Sequence, residues 1–185
     1  AKQIVNDANV KKDATYSNVP RTVDYTKPAR VKGTHYGMTN PVGYDCTSFV
    51  SCCYKAAGLT SMYQKSCSGG TLVKEILNGG EMWLCDDAGI AKAIPGDVLV
   101  DANSKVSQSQ MGKFISTHHA LIYMGDGKVM HSSKPAAPPN SIKESPISYY
   151  KNKGTAFFCR PKDLIEADAA EKSKNSNTNT GETEK

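Results

Sequence analysis

Hydrophobic positions along the chain change their period once, near Pro95-Gly96. Before that point they recur at helical spacing. Ile4, Val5, Ala8 and Val10 fall roughly on one side of a helix over 1–10. Phe49, Val50, Cys53, Ala56 and Ala57 predict a helix over 46–58, with Asp45 as its N-cap and Gly58 as its stop. A shorter helix over 71–77 is bracketed by Gly69-Gly70 and Gly79-Gly80. The stretch 11–43 is polar, broken by Pro20, Pro28, Pro41, Gly33 and Gly37, and reads as irregular. After Gly96 the period becomes two. Strands are predicted over 97–101 and 155–160, and a hairpin over 119–124 and 128–132 around Gly125-Asp126-Gly127. Residues 134–146, with Pro135, Pro138, Pro139 and Pro146, read as loop. Helices first and strands later predict an α+β domain over 1–164. Residues 165–185 have nothing to bury and read as a polar, disordered tail or linker.

The length, 185 residues, suits one domain and is enough to bury a core. No run approaches the roughly 18 apolar residues of a membrane span. The chain opens at Ala1 without a basic and apolar leader, which fits a processed product or a fragment. Its net charge of +5 is spread out, with no basic run and no aromatic interleaving, so nothing points to nucleic acid. A mild positive charge suits approach to anionic polymers such as wall components, and equally suits plain solubility. The six cysteines form no C-x-x-C pair, so zinc-ribbon and thioredoxin-type readings fail on spacing. Most read as small core hydrophobes, and only proximity favours a Cys67–Cys85 disulfide.

Cys46 differs by position. It falls in the first turn of a predicted helix, where unpaired N–H groups and the helix dipole favour a thiolate and an oxyanion. Asp45 beside it disfavours a thiolate unless its charge is met elsewhere. A buried structural cysteine fits the position equally well.

A thiol nucleophile needs a base and a group that orients the base. The candidates are His35, His118, His119 and His131. If Gly125-Asp126-Gly127 is a three-residue loop, Met124 pairs with Lys128 and opposite positions sum to 252. His119 and His131 then become diagonal neighbours on one face, and His118 falls on the other. A two-residue turn would separate the pair. The three-residue loop is the expectation, with His119 as base and His131 as orienter.

These segments together resemble the NlpC-type cell-wall cysteine peptidases. Gly43-Tyr44-Asp45-Cys46-Thr47-Ser48-Phe49-Val50 resembles their nucleophile motif, and Pro95-Gly96-Asp97-Val98-Leu99 their next strand signature. His119 through His131 is similar to their paired-histidine hairpin, and Phe157-Phe158-Cys159-Arg160-Pro161 to their closing strand. The resemblance implies a papain-like α+β fold, with the nucleophile helix packed on an antiparallel sheet. It implies a cysteine endopeptidase acting on the peptidoglycan stem peptide, often after γ-D-glutamate, with catalytic Cys46, His119 and His131. It gives Asp45 the free amine of a trimmed stem peptide and needs no metal or cofactor. The family's tyrosine near the oxyanion has no clean counterpart; Tyr36 stands nearest. The usual Ser-Gly after the cysteine is Thr47-Ser48 here. The partner implied is bacterial peptidoglycan. The setting implied is secreted, wall-associated, or carried by a phage particle or mobile element, with other modules of a longer chain allowed. A papain-like amidase or acyltransferase, or an inactive wall-binding module, are the alternatives.

Overall fold

The computed structural model describes residues 14–59, 73, 78–134 and 141–178. The expected helix over 1–10 lies outside them, as does that over 71–77 apart from Val73, which is helical and buried. Short strands β1 (Ala14–Tyr16), β2 (Thr34–His35), β3 (Met38–Thr39) and β4 (Val42–Tyr44) organise the stretch read as irregular. Helix α1 (Cys46–Ala56) follows directly. Strand β5 (Glu81–Leu84) and helix α2 (Asp87–Lys92) precede β6 (Val98–Ala102), β7 (Thr117–Gly125) and β8 (Lys128–Ser132). Then come β9 (Ile142–Pro146), α3 (Ile147–Lys153), β10 (Ala156–Arg160) and α4 (Lys162–Thr178). The architecture is α+β: α1 packs on a six-stranded antiparallel sheet of order β5-β10-β6-β7-β8-β9.

Helix α1 forms where its cap permits. Asp45 Oδ1 accepts from Ser48 N at 2.7 Å, and Asp45 N donates to Ser48 Oγ at 2.9 Å, a complete capping box. Ser48 therefore closes the helix start. Every residue from Cys46 to Tyr54 is buried. One side meets the sheet through Phe49, Val50 and Cys53, in a cluster with Val98, Val100, Ala120 and Ile122. On the other side, Cys52 Sγ lies 3.3 Å from the Thr22 carbonyl, so the 14–44 segment covers the helix. This explains the small polar residues along α1. Gly43 is needed for the same close layer: a Cβ there would stand 2.5 Å from the Pro20 carbonyl.

The hairpin corrects the expected loop. Asp126 and Gly127, both with positive φ, form a two-residue turn closed by the Gly125–Lys128 pair. A bulge between Tyr123 and Gly125 then restores Tyr123–Val129 and Ile122–Met130, so opposite positions sum to 252 after all. The face assignment survives because the extra residue moved from the loop into the strand. The expected loop over 134–146 is also corrected: β9 pairs with β8 from Ser132–Ile142 to Lys128–Pro146. An edge strand bonds on one side only, so Pro146 at its end breaks no ladder. The expected tail holds α4, whose exposed surface carries the i,i+4 pairs Lys162–Glu166 and Asp168–Lys172. Cys85 is a free thiol, and Cys67, the other half of the disulfide weighed from proximity, lies outside the described residues.

Two of the motif segments clasp each other. Asp97, wholly buried at the start of β6, accepts from Arg160 Nε and Nη2 at 2.7 Å each and from Ile94 N at 2.8 Å. Gly96, at φ 102°, makes the bend that turns Asp97 inward. Burial still raises the Asp97 carboxyl above its ordinary range, against the pull of Arg160. Arg160 in turn is held charged chiefly by its bond to Asp97. Removing one partner strands the other, so Arg160→Leu is expected to cost about 3–5 kcal/mol. The urea midpoint should fall with the slope unchanged; an unmoved midpoint would count against the clasp.

Candidate active site

His119 and His131 meet directly. His119 Nε2 and His131 Nδ1 are 2.8 Å apart, with the rings edge to face. His131 Nε2 lies 2.9 Å from Ser145 Oγ on β9, so both ring nitrogens of His131 are engaged. Ser145 is therefore a third member of this chain, and it sits in the segment read as loop. Burial is the leading cause that pulls His119 down to about 4 and His131 to about 3. Lys143, opposite His131 in the β8–β9 register, adds to both shifts, and Asp101 partly opposes that of His119.

Both imidazoles lie on the sheet face of Leu121, Tyr123 and Val129, which packs on α3 through Ile147 and Tyr150. Helix α1 packs on the other face. The Cys46 thiol thus approaches β7 from the opposite side, and its bond from the strand is the backbone N–H of Ala120, the residue after His119. That N–H, with those of Thr47 and Cys46 itself, favours a thiolate, but burial outweighs them and the thiol is raised above its usual value. No hydrogen bond joins Cys46 Sγ to His119 among the described residues. The resting pair is a neutral thiol and a neutral imidazole, one peptide link apart along β7.

Asp45 is 4% exposed and its carboxylate is engaged. Besides capping Ser48, it accepts from Thr47 Oγ1 at 3.1 Å and forms an ion pair with Arg21. Arg21 pairs with Asp45, yet the Asp45 charge still adds to the rise of the Cys46 thiol. Arg21 lies in the irregular stretch, 24 residues away, so no local pattern announces it. Tyr36 stands at the β2–β3 turn with φ 48°, 37% exposed, its ring against His35. It does not line the Cys46 cleft. Tyr16 does, with Arg21, Asp45, Thr47, Thr117 and His118. Parallel pairing of Tyr16 with Tyr44 puts it there, a register that spacing along the chain does not reveal. Cys46 and Asp45 both help raise the Tyr16 phenol, after burial. His118 sits at a bulge opposite Asp101 and Ala102, half exposed, with Nε2 at 3.5 Å from Asp101 Oδ2.

Unfolding at mild acidity follows from the buried imidazoles. In the unfolded chain each titrates near 6.5. In the folded protein they bind protons only near 4 and 3. The unfolded state therefore takes up protons first as pH falls below about 6.5, and stability drops. The melting temperature is expected to fall between pH 6.5 and 4, and His131→Asn should flatten that fall. An identical slope in the variant would contradict the assignment.

The fold and site together define an α+β domain with a thiol in the first turn of a helix and a buried histidine pair on the sheet that the helix packs against. No protein-family model matches the chain, and no curated protein matches it by sequence. Among solved structures it is similar to NlpC/p60 domains. That of the peptidoglycan hydrolase SagA is 19% identical, covering 63% of this chain and 75% of that one, with TM-score 0.39. RipD from Mycobacterium tuberculosis, described as a non-catalytic NlpC/p60 domain protein adapted to peptidoglycan binding, is 19% identical over 85% and 95%, with TM-score 0.47. The P60 domain of antigen MAP1204 from M. avium subspecies paratuberculosis is 21% identical over 78% and 83%, with TM-score 0.43. No helix among the described residues is long and apolar enough to cross a membrane.

Proposed function

We propose that this chain is a cysteine endopeptidase of the NlpC/p60 type. It hydrolyses a peptide bond of the bacterial wall stem peptide, the γ-D-glutamyl–diamino acid bond being the target, at the wall or outside the cell. The observation that carries this reading is the His119–His131 bond beside a helix-start thiol held by the N–H of the residue after His119. Four motif segments in order support it.

In this mechanism His119 takes the proton of Cys46 as the sulfur attacks the scissile carbonyl carbon. The negative oxygen of the tetrahedral intermediate rests on the N–H groups of Cys46 and Thr47, with Tyr16 as a further donor. Collapse breaks the C–N bond, and the imidazolium returns the proton to the leaving amine. Water, activated by the same imidazole, then releases the acid from the thioester. His131, anchored by Ser145, fixes the ring of His119. The neutral resting pair makes His119 a general base rather than half of a preformed ion pair. A substrate amine can use Asp45 only by sharing its carboxylate with Arg21. Tyr36, at its exposed turn, is left as a rim contact for the stem peptide.

A second reading is a wall-binding domain without hydrolysis. It is favoured by the raised Cys46 thiol and by the lack of a sulfur–imidazole bond. Digestion of purified sacculi, with mass spectrometry of the soluble products, separates the two. Release of fragments with new stem-peptide carboxyl termini supports the peptidase; co-sedimentation with sacculi and no soluble product supports the binding domain. New termini at the lactyl amide would instead indicate an amidase.

A further inference from the structure

Strand β6 carries a charge where an apolar residue would be expected. It reads Val98-Leu99-Val100-Asp101-Ala102, and every one of these residues is buried. Stability does not explain a carboxylate there, because apolar residues in place of a buried ion pair are often as stable or more so. The surroundings hold Asp101 as an anion. Lys153 Nζ, at the end of α3, donates to Asp101 Oδ2 at 2.5 Å, Thr155 Oγ1 donates to Oδ1, and His118 Nε2 stands 3.5 Å from Oδ2. The β6–β7 register sets Asp101 directly opposite His119, so the two are cross-strand neighbours on the face of Leu99 and Leu121. The titratable groups around His119 come from every element packed near it: Asp101 on β6, His118 on its own strand, His131 on β8, Lys143 on β9, and Tyr149, Tyr150 and Lys153 on α3. Asp101 is the one carboxylate among them.

We propose that Asp101 is a positioning residue of the reaction, its carboxylate the counter-charge of the imidazolium that forms when His119 takes the proton of Cys46. This rests on the peptidase reading and adds a residue to it. Burial is the main obstacle to a proton on His119. Asp101 opposes that obstacle, and acts more strongly than His118, Lys143 or Lys153, each of which reinforces it. The carboxylate is fixed and already out of water, so nothing has to reorganise at the moment the charge appears. Lys153 holds Asp101 in place and offsets part of its field. Its side chain is one-third exposed while that of Asp101 is buried, so water screens the cation more than the anion.

Two measurements test the role. In the Cys46→Ala protein, the His119 ring is titrated by NMR at low temperature, alone and with Asp101→Asn or Lys153→Gln added. Turnover is not required, so this decides the charge pairing whatever becomes of the peptidase reading. The midpoint, expected near 4, should move to lower pH with Asp101→Asn and to higher pH with Lys153→Gln. Loss of packing would not displace it in opposite directions. In protein that keeps Cys46, Asp101→Asn should lower kcat/KM on a stem-peptide substrate about tenfold, with KM within twofold, and carry the acid limb to lower pH. A midpoint that Asp101→Asn leaves in place or raises would overturn the assignment. Should that variant not fold, a midpoint unmoved by Lys153→Gln, which keeps a donor to the carboxylate, would do the same. So would an unchanged kcat/KM beside a displaced midpoint. A displaced midpoint in a protein whose wild type releases nothing from sacculi would overturn the peptidase reading alone.

Discussion

Cys46→Ala is expected to reduce soluble fragment release from sacculi to the level of buffer. The argument is chemical: without sulfur there is no atom at the helix start to form the thioester, and water would have to attack unaided. The side chain is 9% exposed and small, and its cap, Asp45–Ser48, does not involve the sulfur. Replacing it should leave the melting temperature within a few degrees. Alkylation provides an independent check. Burial raises the thiols of Cys52, Cys53, Cys85 and Cys159, Cys53 to about 11 and Cys85 to about 12. Of the described cysteines, Cys46 is the most exposed, and it lines the cleft with Arg21, Asp45 and His118. Iodoacetamide should therefore label Cys46 first among the described cysteines, with loss of activity in step. Activity that persists in the alanine protein would end the nucleophile assignment.

His119→Ala should lower kcat/KM by about 10²–10⁴, the usual worth of a general base. His131→Ala should cost less, because it orients His119 through a single 2.8 Å bond rather than taking the proton itself. His118→Ala discriminates between neighbours: it lines the cleft of Cys46 and faces a buried carboxylate, as a base might. Its half-exposed ring lacks the orienting bond that His119 has, so its loss should be within about tenfold. A reversed order, with His118 essential and His119 dispensable, would move the base to a Cys46–His118–Asp101 arrangement. The acid limb of kcat/KM should lie near pH 4, not near 6.5, since the free enzyme's His119 titrates at about 4.

The hairpin and α1 were legible because their signals are local. Alternation on both sides of Asp126-Gly127 places the two histidines, and Asp45 before Phe49-Val50 marks the helix start. Elements fixed by distant partners were not. Glu81-Met82-Trp83-Leu84 shows no alternation, yet it pairs with β10 along its full length because Trp83 stacks on Phe158, 5.5 Å between centroids. Strand β9 hid behind its prolines, and with it Ser145. Arg21 and Tyr16 reach the site through a parallel pair that brings residues 14–16 against 42–44. The turn has two residues rather than three, but the bulge at Met124 returns the same face, so His119 and His131 stay together.

The position of β10 has a consequence for biogenesis. The last strand of the sheet in sequence is inserted between β5 and β6 rather than added at an edge. Until it arrives, Asp97 has no guanidinium and the two halves of the sheet have no seam. A nascent chain still lacking residues 156–160 carries the thiol and both imidazoles but cannot zip the layer beneath them. Ordering of the pocket is thereby deferred until synthesis of the domain is nearly finished, and contacts this distant in sequence form slowly.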